Sequence, residues 1–303
     1  MVDNKDQHVV PVSYLQAWAD PNRPPHYEPF VHVFDKHGRN HKRKSPANIL
    51  SMPEIYTIFA EGKRDTSIEQ HFGRQEKEFV RVRRLIEQSG PGGVREVAAL
   101  YAFVAGMLVR PPHKIEHFAK QWASIADMAR TIKINPKIAP IPRLNRTASP
   151  SLTLDQVQRM ADDPMGTWFG HSLNAHLKAL TSLFGCDILI NNSPHPFLTS
   201  DAPAAIHFVD DDSETHPRRN LRPKGLGAPD CVITMPISPT HALKFTHKEP
   251  GVHDWKVLDW EAVFEFNFLT ITRARQTIIS DREDLFFVKT ILDHVATVEA
   301  AGS

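Results

Sequence analysis

Hydrophobic positions follow two regimes along this chain. Between residues 66 and 184 they recur at helical spacing. Ile68, Phe72, Phe79, Val82 and Ile86 form one stripe, ended by Ser89-Gly90-Pro91-Gly92-Gly93. Residues 94–109 are apolar nearly all round, which predicts a core helix, and the run stops at Arg110-Pro111-Pro112. A third helix follows, with Ile115, Phe118, Trp122, Ile125 and Ala129 on one face. A fourth, from about residue 166, carries Trp168, Phe169, Leu173, Leu177, Leu180 and Phe184, with Gly185 expected to close it. Thr66-x-x-Glu69 and Thr153-x-x-Gln156 read as capping boxes opening helices.

The second regime is one of short runs. Residues 186–190, 197–200, 204–209, 231–237 and 241–246 are apolar or alternating stretches divided by turn residues, which predicts strands. Residues 29–34 alternate in the same way, and Val12, Leu15 and Trp18 suit a short helix within 8–20. Helical spacing returns with Trp260, Val263, Phe264, Phe268 and Ile271, and again over 285–295. Consecutive strands without helices between them argue for α+β. The expected architecture is a central helical bundle on a small mixed or antiparallel sheet built from the N-terminal and 186–258 strands. One interleaved domain over 1–303 is expected, with a helical portion 66–184, a strand-rich portion 186–258 and C-terminal helices 259–295. The basic, proline-rich stretch 133–150 is the expected mobile connection, and 210–230 is a long polar loop.

Composition changes this picture little. The chain has 303 residues, 41% hydrophobic and 23% charged, and 36 Lys and Arg nearly cancel 35 Asp and Glu. No global field argues for nucleic acid or a membrane surface. The N-terminus is polar and no apolar run approaches the ~18 residues of a membrane span, so a cytoplasmic protein without membrane contact is expected. Cys186 and Cys231 each lead an apolar run and read as buried thiols. Glycine-rich phosphate loops, G-x-G-x-x-G and G-x-S-x-G are absent from the sequence.

Polar residues at the ends of apolar elements supply the candidate chemistry. Ser200-Asp201 halts a strand and precedes a proline, which suits an Asx turn or a carboxylate displayed at a strand end. His8 stands beside the rigid Val-Val-Pro and can be a local cap, a base or a ligand. Glu69 and Glu76 lie two helical turns apart on one face, a spacing that can hold a divalent cation or share proton transfer. Arg110, at the end of the core helix, needs a carboxylate, a helix terminus or an anionic ligand. His113 and His117 have zinc-compatible spacing without the H-E-x-x-H order, and the basic run 39–45 reads as a solvated loop or a phosphate contact.

Several stretches occur together: H-V-V-P-V-S-Y-L-Q-A-W, V-H-V-F-D-K-H-G, S-I-E-Q-H-F-G-R-Q-E, F-V-A-G-M-L-V-R-P-P, F-L-T-S-D-A-P, P-I-S-P-T-H-A-L and F-N-F-L-T-I-T-R-A-R. Over roughly residues 7–280 this resembles the domain-of-unknown-function 4238 family, which is mainly bacterial. The resemblance implies that His8, Tyr14, Glu69, Glu76, Arg110, Ser200, Asp201, Asn267 and Arg275 belong together, and it supplies no reaction. Two functions are expected. One is a metal-dependent hydrolase of a phosphodiester or nucleic-acid-like anionic substrate. In it His8, Glu69, Glu76, Arg110 and Asp201 are catalytic, and His8, Glu69 and Asp201 hold Mg2+ or Mn2+. Tyr14, Ser200, Asn267 and Arg275 then bind the substrate, an anionic small molecule or a nucleic acid. The alternative is a non-catalytic binding or defence-associated module whose polar set is a structural network.

Overall fold

The structure is a computed structural model that describes residues 6–38, 40–60, 63–90, 97–131, 153–209 and 224–301. The expected mobile stretch 133–150 and the 210–223 part of the polar loop lie outside the described residues. In chain order the elements begin with β1 (Asp6–His8), α1 (Val12–Leu15), β2 (Val31–Asp35), β3 (Lys42–Lys44), β4 (Ser51–Pro53), β5 (Ile58–Ala60) and β6 (Lys63–Asp65). Then come α2 (Ser67–Ser89), α3 (Ala98–Val109), α4 (Pro112–Thr131), α5 (Leu154–Asp162) and α6 (Pro164–Leu183). The strands β7 (Phe184–Asn191), β8 (Thr199–Ser200), β9 (Ala205–Phe208), β10 (Cys231–Pro236), β11 (His241–His247) and β12 (Gly251–Leu258) follow. The order closes with α7 (Trp260–Arg273), β13 (Thr277–Ser280) and α8 (Leu285–Ala301). The class is α+β.

The periodic stripes point where their spacing requires. Ile68, Phe72, Phe79, Val82 and Ile86 of α2 are all buried, and so is nearly every residue of α3. One apolar cluster joins α1, α2, α3 and α6 to the inner faces of β7, β10 and β11. Within it Phe79 and Phe103 stack with ring centroids 3.7 Å apart. The stripe on α4 is different: none of its residues is buried, Ile125 stays 42% exposed, and the helix buries Ala126 instead.

Among the described residues four sheets stand where a single one was expected, two of them two-stranded pairings of β1 with β4 and of β5 with β6. β7, β9, β10 and β11 form an antiparallel sheet, with β12 added parallel to β7 at one edge. The N-terminal strands lie elsewhere: β2 pairs with β13 and β3, and β13 pairs with β8. The reason is the four-residue strand Thr-Ile-Ile-Ser of β13, too short and too far downstream to reveal its partner by pattern. Gly185 also departs from expectation. It sits in β7, where a Cβ would come within 2.6 Å of the Glu249 carbonyl oxygen, so close backbone approach explains the glycine. Asp187 of β7 is buried and bonds Lys248 and Lys256, the latter across to the β12 edge at 2.9 Å.

Three buried polar side chains tie the layers together. The Tyr14 hydroxyl donates to the Pro236 carbonyl at 2.7 Å and accepts from the Thr199 hydroxyl at 2.8 Å. Trp18 Nε1 donates to the Phe197 carbonyl at 2.9 Å. Asn267 of α7 accepts from the Leu198 N–H and donates to the Pro196 carbonyl. Trp18 and Asn267 satisfy backbone groups of the loop before β8, and Tyr14 ties β10 to β8.

His207 of β9 is buried and bonded to the Thr234 hydroxyl on β10 at 3.0 Å. Burial foremost, and Arg273 second, push its imidazole down to about 4. The unfolded chain takes that proton near pH 6.5, whereas the folded protein takes it only near pH 4. Stability from this group is therefore complete above pH 6.5, falls as pH drops from 6.5 towards 4, and levels off below. The full difference is roughly 3 kcal/mol. His207→Gln is expected to flatten the melting temperature across that window. A slope identical to wild type in a pH series of thermal melts would refute this assignment.

Candidate functional site

A cleft of about 380 Å³ opens where β1, the start of α1, α2 and the end of α3 meet. On α2, Glu69, Gly73 and Glu76 fall on one face at i, i+4 and i+7 and line it together. β1 contributes Gln7 and His8, Ser13 comes from α1, and Arg110 follows the last residue of α3. At Gly73 a Cβ would meet nothing within 4 Å, so the missing side chain leaves part of the cleft open.

Arg110 is the most unusual group. It is only 3% exposed. One nitrogen, Nη2, bonds Glu76 Oε1, and the guanidinium lies over the Phe72 ring at 3.7 Å from its centroid. Among the described residues Nε and Nη1 have no hydrogen-bond partner and are buried, and the same holds for Ser13 Oγ on this cleft. Buried charged donors are costly unless paired, so two such nitrogens beside a cavity are donors that an anionic group in the cleft can meet.

Around this cation the polar groups are held in place. Gln7, 1% exposed, donates to Thr57 Oγ1 at 3.0 Å and to Glu69 Oε2 at 2.8 Å, and its oxygen accepts the Tyr56 N–H. His8 Nε2 lies 3.1 Å from the Ala47 carbonyl, which can only accept. In the neutral ring Nδ1 is then the basic nitrogen, which is the arrangement of an oriented general base. The expected capping box at Thr66 is not formed. Thr66 makes no side-chain cap, Asp65 accepts the Ser67 N–H instead, and Glu69 turns to Gln7. The second box, Thr153 with Gln156, forms in full.

The structure thus brings His8, Glu69, Glu76 and Arg110 to one cleft and keeps the other expected residues out of its lining. Asp201 is elsewhere. Its Oδ1 accepts the Arg275 N–H at 2.8 Å, and its Oδ2 accepts those of Gln276 at 2.8 Å and Thr277 at 3.2 Å. The carboxylate is committed to the turn between α7 and β13, so His8, Glu69 and Asp201 do not converge as a metal triad. Ser200 is fully buried and accepts the Ala202 N–H, which is turn chemistry. Tyr14 and Asn267, expected to touch substrate, are wholly buried in backbone anchoring. Arg275 lines a separate cleft that shares no lining residue with the first.

Among the described residues, His32, His41 and Glu283 bring potential metal-ligating atoms within 4.8 Å of one another. Their nitrogens serve each other: His32 Nε2 faces Asp20 at 2.9 Å, His32 Nδ1 faces His41 Nε2 at 2.8 Å, and His41 Nδ1 faces Glu283 at 3.5 Å. This is a hydrogen-bonded chain bracing β2, with the basic run 39–45 partly taken up by β3. His113 and His117 do not pair as zinc ligands. His113 lines the second cleft and His117 is exposed.

Sequence reading overlooked Gln7, Ser13 and Gly73 on the first cleft. Gly73 carried a usable signal: it sits between two glutamates on one helical face, where a residue with a side chain is the better helix former. No curated protein and no solved structure matches this chain. The family described as "Protein of unknown function (DUF4238)" matches residues 6–284, and the chain belongs to that family.

Proposed function

We propose that the Arg110 cleft is the substrate site of a hydrolase that acts on a phosphodiester or a similar anionic ester. The observation that carries the reading is the pair of buried, unpartnered Arg110 nitrogens on a cleft wall. In this reading an anionic group accepts from Nε or from Nη1, donors that lie on different edges of the planar guanidinium. Glu76 and Phe72 fix the guanidinium in advance, so charge that develops in the transition state meets an oriented donor. His8 Nδ1 takes the proton of the attacking water, and Glu69, held by Gln7 on the same cleft, assists.

A second reading has an observation of its own. Gln7 satisfies three partners and Arg110 binds Glu76, which is what a purely structural network would show. Gly73→Met separates the two. It fills the open part of the cleft, and Gly removal from an α-helix stabilises by up to about 1 kcal/mol. The purified chain is to be assayed on a chromogenic phosphodiester, with and without Mg2+ or Mn2+, for wild type, Gly73→Met and His8→Ala. The site reading expects turnover in wild type that Gly73→Met and His8→Ala both reduce about 100-fold or more, with melting temperature preserved. If Gly73→Met melts like wild type and every activity and anion affinity survives, the hydrolase reading fails.

A further inference from the structure

A second cleft, of about 480 Å³, lies between the start of α4, the segment after β8 and the end of α7. Its charge is of one sign. His113 and Lys114 of α4, His176 of α6, Lys224, and Arg273 and Arg275 line it, and among the described residues no Asp or Glu does. Ile206, Phe208 and Leu226 provide an apolar wall. Lys224 pairs with Asp230 at 2.6 Å. Among the described residues Lys114, Arg273 and Arg275 have no carboxylate partner.

The cations sense one another. Burial, then Arg275 and Arg273, lower the Lys114 ammonium, and burial, then Arg275 and Lys114, push the His113 imidazole down to about 4. His176 Nδ1 donates to the Ser172 carbonyl at 2.7 Å, which leaves Nε2 as its second nitrogen. In a chain with 36 cationic and 35 acidic residues, such a concentration is not a by-product of composition. Like charges gathered this closely repel one another, and a bound anion relieves that repulsion.

We propose that this cleft binds a small organic phosphate carrying at least two negative charges. Lys114, Arg273 and Arg275 take the phosphates, and Ile206 and Phe208 take its apolar or planar part. The size favours a small molecule, since its volume falls in the range of about 300–1,000 Å³ usual for such sites. A nucleic-acid surface would need an extended positive field, and the near-zero net charge of the chain supplies none. The inference is independent of the hydrolase reading, because the two clefts share no lining residue.

The test is calorimetric titration of the full chain with inorganic pyrophosphate, with adenosine diphosphate and with a short single-stranded oligonucleotide, alongside thermal melts. Both phosphates are expected to bind. Arg273→Gln and Arg275→Gln should each weaken them about 10- to 100-fold, whereas Arg84→Gln, at an exposed position outside both clefts, should leave them unchanged. Without ligand, Arg275→Gln should melt at or above wild type, because it relieves repulsion and, among the described residues, breaks no side-chain pair. Absence of binding by both phosphates, binding indifferent to the two cleft variants, or a lower melting temperature in Arg275→Gln overturns the proposal. Tighter binding of the oligonucleotide than of adenosine diphosphate overturns it too, in favour of a nucleic-acid surface.

Discussion

Asn267→Leu is expected to lower stability by about 3–5 kcal/mol, because it strands two buried backbone groups at once. The side chain is fully buried on α7. Its oxygen takes the Leu198 N–H at 2.8 Å and its amide donates to the Pro196 carbonyl at 2.9 Å. Those two groups belong to the chain between β7 and β8, where the ladder does not reach them. Leucine keeps the branching of the side chain and supplies neither partner, and an unmet buried polar group costs more than a made hydrogen bond contributes. For a chain of this size the melting temperature should fall by roughly 10 °C. Asn267→Asp keeps the acceptor and loses the donor, so its loss should be smaller unless the carboxylate ionises in place. Pyrophosphate binding and phosphodiester turnover should survive per folded molecule. A melt within about 2 °C of wild type would show that the network is not limiting.

The same residue shows what the sequence could and could not disclose. Periodicity made α2, α3 and most of the strands legible, because burial of a face is written locally at spacings of 3.6 or 2. The role of Asn267 was not legible, since its partners lie 69 and 71 residues away. A polar residue within a family motif reads equally well as a ligand contact or as an anchor. A third of the first cleft's lining could be listed from chemistry alone: His8, two glutamates on one helical face, and an arginine ending an apolar helix. Their convergence depends on Gln7 reaching Glu69 across 62 positions and Arg110 reaching Glu76 across 34. The Thr66 box failed for a local reason, since Asp65 could satisfy the same helix end and leave Glu69 to Gln7. The second cleft was missed because its cations come from α4, α6 and both sides of α7's end, none forming a charge run.

Asp201→Asn is expected to cost about 2–3 kcal/mol and to weaken pyrophosphate binding about 10-fold, although Asp201 touches neither cleft. The carboxylate accepts three successive backbone N–H groups, from Arg275 to Thr277. Bonds from N–H groups to an ionised acceptor are the stronger kind, and an amide offers one oxygen and turns its NH2 against the remaining donors. The turn after α7 should then loosen, and with it the backbone that directs Arg275 into the basic cleft. Arg275→Gln removes the charge itself, so the double variant Asp201→Asn/Arg275→Gln should bind pyrophosphate no more weakly than Arg275→Gln alone, while keeping the full stability loss of Asp201→Asn. That pattern separates positioning from metal ligation. A ligand carboxylate would lose metal-dependent turnover with little change in melting temperature, whereas a brace loses stability first and phosphate affinity through Arg275. Additive losses in the double variant would break the link between the strand end at Ser200-Asp201 and the cleft.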